Sequence, residues 1–176
     1  MTFIEFPGWQ PGMIVTEERA NSAALVGRTI FRATRDTNQS ISSTGSGNPD
    51  VANALAWESV PIDDLGGWSS GAATRYTIQL AGYYKIRSKV SFNATATPGT
   101  ARAMGIFGNG TQFSGGHFRT ALAATNSVHT EDGFVTALLA VGDYVQIAPG
   151  HSTGSALDTA TGGSRPTIEI EFARPA

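Results

Sequence analysis

Three histidines, His117, His129 and His151, are the side chains of this sequence that titrate near neutral pH and suit general acid–base chemistry. They lie far apart in the chain, and no cysteine is present to act as a nucleophile or a thiolate ligand. The sequence also lacks a G-x-S-x-G elbow, a phosphate-binding glycine loop and an H-E-x-x-H motif. No pair of carboxylates stands out as flanking a sugar cleft. We therefore predict no catalytic residue, no cofactor and no enzymatic activity.

The nearest approach to a metal-ligand motif is His129-x-Glu131-Asp132. Alternate side chains of a strand share a face, so His129 and Glu131 would point the same way and could hold a cation. The interpretation we favour is that these are polar residues leading into a turn. Asp143, directly after Gly142, is likewise a carboxylate that we expect to shape a turn.

Three aspartates offer a second set of oxygen ligands. Asp63 and Asp64 are adjacent and stand just before two glycines, and Asp50 ends a polar loop. Such a set could bind Ca²⁺ in a loop. Hydrogen bonds from the aspartate side chains to the backbone of a tight turn account for the same residues without a cation. We therefore predict no metal site.

Two tryptophans, Trp57 and Trp68, flank this acidic turn. Exposed aromatic rings stack on sugars and supply much of the binding energy at interfaces. A tryptophan in such a strand also commonly fills one end of a core. We keep Trp57 and Trp68 as candidate surface ligand contacts, with a host cell-surface glycan as the candidate ligand and core packing as the alternative.

The composition bounds the class of protein and its partners. The 176 residues include 12 basic and 14 acidic side chains, and the net charge of −2 gives no electrostatic attraction to nucleic acid or anionic lipid. With 40% hydrophobic and 15% charged residues, 21 glycines and 8 prolines, the chain is typical of one all-β domain with short strands. No apolar run approaches the roughly 18 residues of a membrane helix, and the first residues do not form a signal peptide. We expect a chain made in the cytoplasm, without membrane insertion.

The clearest structural element is Leu80 to Phe92, where apolar and polar side chains alternate. This period of two predicts a half-buried antiparallel strand. Its polar face carries a basic stripe, Lys85, Arg87 and Lys89. We expect the stripe to pair with Glu169 and Glu171 on a neighbouring strand or subunit, with each pair contributing about 0.2–1 kcal/mol.

The remaining strands follow one another with turns between them. They are predicted at residues 29–34, 54–60, 76–80, 102–107, 112–119, 128–139, 144–148 and 167–173. Asn109-Gly110 predicts a tight hairpin turn, since both residues tolerate positive φ. Residues 150–165, rich in Ser, Thr and Gly, are predicted to be a mobile loop. Short strands at such spacing indicate an antiparallel sandwich or jelly roll.

Residues 1–27 differ from the rest because aromatic residues stand there among prolines and glycines. Thr16 can cap a short helix that ends at Gly27, and such a segment is too short to fold alone. We divide the chain into a docking arm, residues 1–27, and a sandwich domain, residues 28–176. The arm either packs on its own domain or docks on another protein. Its candidate docking residues are Phe3, Phe6, Trp9 and Val15.

The sandwich domain resembles a known family. The order Gly82-Tyr83-Tyr84-x-Ile86, then Gly142-Asp143-x-Val145, then a final strand near the C-terminus is similar to the C1q/TNF-type jelly roll. The resemblance covers roughly residues 28–174. It implies a ten-stranded antiparallel sandwich that assembles as a compact homotrimer.

The arm carries a second resemblance. The pattern Trp9-x-x-Gly12-x-x-Val15-Thr16-x-x-x-x-Asn21 is similar to the openings of small tail and fibre proteins of bacteriophages. Ala20 departs from that pattern, in which a larger apolar residue is common, so the helix of the arm is expected to dock differently. Virions assemble in the cytoplasm and leave by lysis, which also explains the missing signal peptide and cysteines.

The sequence thus predicts a non-enzymatic, homotrimeric structural protein of a phage virion. We favour a minor tail or fibre-tip component that binds other virion proteins through its arm and contacts the host surface. One alternative is a capsid decoration protein that stabilises the head. Another is a carbohydrate-binding module that recognises a receptor.

Overall fold

A computed structural model describes residues 23–97, 99–121 and 127–176 of the chain. The described residues form eleven β-strands. They are β1 Arg28–Thr34, β2 Ser40–Ile41, β3 Ser59–Asp63, β4 Tyr76–Thr77, β5 Gly82–Phe92, β6 Ala101–Gly108, β7 Thr111–Ala121, β8 His129–Leu139, β9 Tyr144–His151, β10 Leu157–Asp158 and β11 Thr167–Pro175. Three 3₁₀ turns lie at Val51–Asn53, Ser70–Ala72 and Gly162–Ser164, and residues 23–25 have helical backbone. None of the helical segments in this described part is long and apolar enough to span a membrane.

Two antiparallel sheets form the sandwich. One has five strands in the order β3-β1-β11-β5-β8, and the other has four in the order β4-β9-β6-β7. A third, two-stranded pairing joins β10 to β2. The predicted all-β antiparallel sandwich is therefore confirmed.

The core lies between the two sheets and is built from alternate residues of each strand. In β5, Tyr84, Ile86 and Val90 are fully buried, whereas Arg87 between them is exposed. This is the half-buried strand that the alternating sequence predicts. Burying each large apolar side chain contributes about 1.5–3 kcal/mol. The buried hydroxyl of Tyr84 donates a hydrogen bond to the Leu80 carbonyl, so this polar group is satisfied inside the core.

Both ends of the described chain lie at the same end of the sandwich, called here the terminal end. The Gly27 amide donates to the Phe172 carbonyl over 2.8 Å, and Pro175 pairs with Gly82 at the start of β5. The opposite, distal end carries the connections that follow Thr34 and Phe92 and that precede β11. The two ends of the described chain and the long polar loops are thus separated by the length of the strands.

Residues 42–55 form a strap over the outer side of the four-stranded sheet. Two glycines make room for it: a Cβ on Gly150 would lie 2.1 Å from the Asn48 carbonyl oxygen, and one on Gly105 would lie 2.7 Å from the Pro49 Cβ. Almost every residue of β6 is consequently buried. The strap explains why β6 and β9 do not show the alternation of a half-exposed sheet.

Two strand predictions need correction. Residues 54–57 do not form a strand. They are largely buried, and the Leu55 and Trp57 amides donate single hydrogen bonds to the Ile147 and Ala73 carbonyls, which do not continue as a ladder. The strand in this region is β3, which begins only at Ser59. The predicted strand at 76–80 is shorter, since only Tyr76–Thr77 pairs. Apolar character here reports burial and not strand pairing.

The prediction of a mobile loop at residues 150–165 is also wrong. Leu157 pairs with Ile41 in the small sheet of β2 and β10. Thr159 is fully buried, and the Ala160 amide donates to the Ser91 carbonyl over 2.8 Å. The polar composition concealed a segment that closes the distal end of the core.

Candidate assembly surface

The outward face of the five-stranded sheet, called the outer face below, is the most distinctive surface of the described residues. Within the described ranges no segment covers it, whereas residues 42–55 cover the four-stranded sheet. Its outward side chains are Arg32, Thr34, Tyr83, Lys85, Arg87, Lys89, Asp132, Phe134, Thr136, Leu138, Thr167, Glu169 and Glu171. They form cross-strand rows because residues opposite each other in an antiparallel ladder share a face.

One part of the predicted charge pairing is confirmed. The Lys85 ammonium lies 3.3 Å from the Glu171 carboxylate on the adjacent strand. Glu169 lies opposite Arg87 in the ladder, but its ion pair is with Arg32, at 3.0 Å. Burial alone would raise the pKa of Glu169, but hydrogen bonds from Thr29 and Arg32 outweigh it and hold the pKa below its ordinary value. Each of the two glutamates of this face therefore has a cationic partner within the chain.

A corner of the outer face carries charges without such partners. Arg87 and Asp132 form no ion pair with any described residue, although the charge of Arg87 contributes to the lowered pKa of Glu169 and Asp132 stands directly opposite Lys89. The Lys89 ammonium donates to the Gly163 carbonyl over 3.4 Å. A shallow groove runs beside this corner, between Asp132 on one side and Arg32 on the other. Charges of both signs are thus left available to a partner.

An apolar ridge borders the same corner. Phe134 is 58% exposed and Leu138 is 56% exposed, and both point outward from β8. β8 is an 11-residue strand at the edge of its sheet. Long edge strands that expose apolar side chains pair or aggregate unless something covers them. Such an edge is typical of an interface with another chain.

The backbone of β8 is held firmly from below. The ring of Phe118 in β7 lies over Gly133, where a Cβ would be 2.2 Å from the ring. This contact closes the sandwich on the side where β7 and β8 meet. The ridge therefore lies on a strand that packs against β7, and it presents apolar and charged side chains side by side.

The histidines do not converge on one site. His117 is exposed on β7, and the His129 ring lies 2.7 Å from the Glu131 carboxylate on the same strand. His129 and Glu131 share a face, as the sequence predicted, and they contact each other. The described residues contain no cluster of three or more acidic, histidine or cysteine side chains able to hold a metal ion.

His151 is fully buried at the distal end of the core. Its Nε2 lies 2.8 Å from the Ile41 carbonyl oxygen and therefore carries the proton, and its Nδ1 lies 3.0 Å from the Thr153 hydroxyl. Arg102, on the neighbouring strand of the same sheet, is also buried. Burial, opposed by the Ile41 hydrogen bond and assisted by the Arg102 charge, lowers the pKa of His151. Its position and contacts are those of a structural histidine of the core.

Asp63 and Asp50 shape turns, as the favoured interpretation predicted, whereas Asp64 forms an ion pair. Asp63 accepts hydrogen bonds from the backbone amides of Gly67 and Trp68, at 2.9 and 3.2 Å. Asp64 pairs with an arginine in β1, at 3.2 Å, and Asp50 accepts a hydrogen bond from a backbone amide of its own turn, at 2.9 Å. The three carboxylates therefore have separate backbone and side-chain partners.

Asp143 also shapes a turn. It accepts hydrogen bonds from the Ala140 amide and the Asn109 side chain, each at 2.8 Å, and these lower its pKa. Asn109 and Gly110 both have positive φ, at 51° and 76°, which confirms the predicted hairpin turn between β6 and β7. Asp143 thus ties two turns together at the terminal end.

The tryptophans belong to the core. Trp57 is only 2% exposed, so its ring has no open face for a sugar, and the expectation of a surface contact there is corrected. Trp68 is half-buried against the core, and its indole N–H donates to the Ala73 carbonyl over 3.3 Å. A role of Trp68 in ligand binding stays a prediction. The arm residues Phe3, Phe6, Trp9 and Val15 lie outside the described residues.

Sequence reasoning missed the ridge, although a signal was present. In β8, Val135 and Leu139 point to the core, so the apolar Phe134 and Leu138 must point the other way. A strand that is apolar on both faces is buried on both faces or lies at an interface. The unpaired state of Asp132 left no such signal, because it depends on the register of strands far apart in the sequence.

Comparison with known proteins gives the fold its name. No protein-family model and no curated protein matches the chain. Among solved structures, the globular domain of zebrafish complement 1qA is similar with a TM-score of 0.61 and 10% identity over 85% of this chain and 100% of that one. Eiger TNF from S. frugiperda gives 0.57 and 8% over 83% and 92%, and murine APRIL gives 0.57 and 9% over 82% and 98%. The chain therefore has a C1q/TNF-like jelly-roll fold, as its sequence resemblance implied.

Proposed function

We propose that this protein is a non-enzymatic structural component that assembles as a homotrimer through its outer face and the edge of β8. The observation that carries the proposal is the apolar ridge of Phe134 and Leu138 on an uncovered edge strand. Burying each of these side chains in an interface would contribute about 1.5–3 kcal/mol. The charges beside the ridge that form no ion pair would fix the orientation in which two copies meet.

A closed ring of copies suits this surface better than a symmetric pair. The ridge lies on β8 at one margin of the outer face, and the groove runs from that margin across β5 and β11 to Arg32 on β1. A contact in which the ridge of one copy packs on the face of the next uses two different patches, and such contacts close into rings. The resemblance of the sequence to C1q/TNF-type jelly rolls supports three copies per ring.

We further propose that the trimer is a minor tail or fibre-tip component of a phage virion, built in the host cytoplasm. The phage-like pattern of the arm supports this location. The described chain starts at the terminal end, so an arm attached there would anchor that end to other virion proteins. The polar loops of the distal end would then face outward, where a host surface can be met.

The assembly is tested by sedimentation velocity of the full chain over a range of concentrations. We expect a species of three times the 18.4 kDa of one chain. Phe134→Asp should raise the dissociation constant about tenfold or more. Val51→Asp is the matched control, because Val51 is also exposed but lies on the strap. A monomeric wild-type chain, or equal effects of the two variants, would contradict the proposed assembly.

The location is tested by immunogold electron microscopy of virions with an antibody against this protein. Label at the tail end supports the proposal. Label over the head would instead indicate a decoration protein, and heads lacking the protein should then be fragile. A chain without residues 1–27 should still form trimers but should not join particles. Incorporation of that truncated chain would contradict the anchoring role of the arm.

A further inference from the structure

We propose that Asp132 of one copy forms ion pairs with Arg87 and Lys89 of the next copy, and that these pairs fix how neighbouring copies are rotated against each other. The inference rests on the proposed trimer and goes beyond it by assigning the residues that set its register. Asp132 and Lys89 are opposite each other, and Arg87 is one outward position away on the same face. All three lie beside the exposed ring of Phe134.

The state of the other carboxylates distinguishes Asp132. Glu169 and Glu171 share the outer face with it, and each has a cation within 3.3 Å on a neighbouring strand. Asp132 has none among the described residues, although a lysine stands directly opposite. An exposed carboxylate that remains unpaired next to available cations gains nothing within the monomer. It gains if another copy brings cations of matching geometry.

A second copy fits because the acid lies on β8, the strand of the ridge, and the bases lie on β5, within the face, so the ridge of one copy and the face of the next carry opposite charges. In a ring, each copy offers Asp132 to one neighbour and receives the Asp132 of the other neighbour at Arg87 and Lys89. Every interface of the ring then contains the same ion pairs, and each Asp132 meets cations of a neighbouring copy. Burial of the Phe134 ring next to these groups removes water from them and strengthens the pairing. Charge pairs of this kind fix register and partner choice more than they add affinity.

The test is charge reversal, read by sedimentation equilibrium at two salt concentrations. Asp132→Arg alone, and Arg87→Asp with Lys89→Asp, should each raise the dissociation constant about tenfold or more. The triple variant, which reverses all three charges, should return to within about threefold of wild type. Asp64→Arg is the matched control, because it makes the same charge change on a carboxylate that is paired elsewhere, with Arg28. Far-UV circular dichroism and melting curves check that every variant is folded.

The outcomes separate this inference from the proposed function. Loss of affinity in the single-sign reversals with recovery in the triple variant supports it. A wild-type trimer whose assembly is unchanged by these reversals, yet weakened by Phe134→Asp, overturns the charge pairing and leaves the trimer standing. A wild-type chain that stays monomeric overturns both. Assembly of the wild type should also weaken as salt rises, and Asp132→Asn should make it less salt-dependent.

Discussion

Mild acidification should destabilise this protein because His151 has a lowered pKa in the folded state. In that pH range the carboxylates with lowered pKa values are still ionised and contribute little change. The ring is fully buried, and it donates to the Ile41 carbonyl while its other nitrogen faces the Thr153 hydroxyl. A second proton on this ring would put a positive charge inside the core, near the buried guanidinium of Arg102. The structure therefore favours the neutral ring, and lowering the pH from about 7.5 to about 5 is the perturbation that tests this.

The sign and size of the effect follow from linkage. In the unfolded chain His151 takes up a proton as the pH falls through its ordinary pKa of 6.5, whereas burial lowers its pKa in the folded state. Below 6.5 the unfolded state binds more protons, so the free energy of unfolding falls until the pH reaches the lowered pKa. Above that range the histidine has no effect. One proton limits the slope to about 1.4 kcal/mol per pH unit.

Carboxylates act at lower pH and can be kept out of the measurement. Asp36, Glu58, Asp143 and Glu169 have lowered pKa values in the folded state, from ordinary values of 3.8 or 4.5. Each therefore stabilises the fold above its ordinary pKa and loses that contribution as the pH falls through its lowered pKa. The window between about pH 5 and pH 6.5 isolates the histidine.

The assay is urea unfolding at several pH values and one protein concentration, with wild type, His151→Gln and His117→Gln. His117 is exposed on β7, so His117→Gln should keep the wild-type slope, while His151→Gln should lose most of it. The slope is compared and not the stability at one pH, because His151→Gln also disturbs packing. Nitrogen-15 spectra of the wild-type imidazole give a second readout, because the folded ring should stay neutral and protonated at Nε2 just below pH 6.5, where a histidine with an ordinary pKa takes up its second proton. Equal slopes in all three proteins, or a charged His151 in the folded state, would refute the reasoning.

Further predictions concern the strap, a turn and the basic stripe. Gly150→Ala should lower the free energy of unfolding by about 1–3 kcal/mol, because the added Cβ would lie 2.1 Å from a backbone atom of the strap. Gly163→Ala is the control: it has open space around it, so its free energy of unfolding should change by less than about 0.5 kcal/mol. Thermal melts compare the two variants. Asp63→Ala removes the acceptor of two backbone amides and should cost about 1–3 kcal/mol in urea unfolding. A double-mutant cycle on Lys85 and Glu171 should give a coupling below about 1 kcal/mol, because the pair is partly exposed. Equal melting temperatures of the two glycine variants, no loss for Asp63→Ala, or a much larger coupling would contradict these assignments.

The alternation of β5 and β11 was sufficient to predict both strands, because each is buried on one face only. The same alternation placed Lys85 and Glu171 on the outward faces of their strands, but the register between β5 and β11 decided that these two residues pair. Where a strand is covered on both faces this signal disappears. β9 was predicted to end at Ala148 but continues to His151, and the strap that covers it comes from about a hundred residues earlier in the chain.

Trp57 shows the complementary failure. Its apolar neighbours suggested a strand, and the residue is indeed buried, but its amide bonds to the Ala73 carbonyl instead of a ladder. Hydrophobicity determines that a segment is inside, and it does not determine which backbone group it pairs with. The candidate surface was hidden for the same reason. Whether Arg87 and Asp132 have partners depends on strand register between segments that the sequence alone does not align.

The exposed edge of β8 and the positions of the ends of the described chain are two independent features that are compatible with the proposed assembly. An edge strand with exposed apolar residues is normally protected by charge, by a bulge or by cover, and β8 carries Asp132 as its one outward charge. A monomer with this edge would be prone to aggregation, so a specific partner is the economical solution. The two ends of the described chain lie at one end of the sandwich, whereas the outer face lies along its side. A ring formed through the outer face can therefore leave the terminal end free for an anchor and the distal end free for another contact, which is the division of surfaces that an anchored virion component needs.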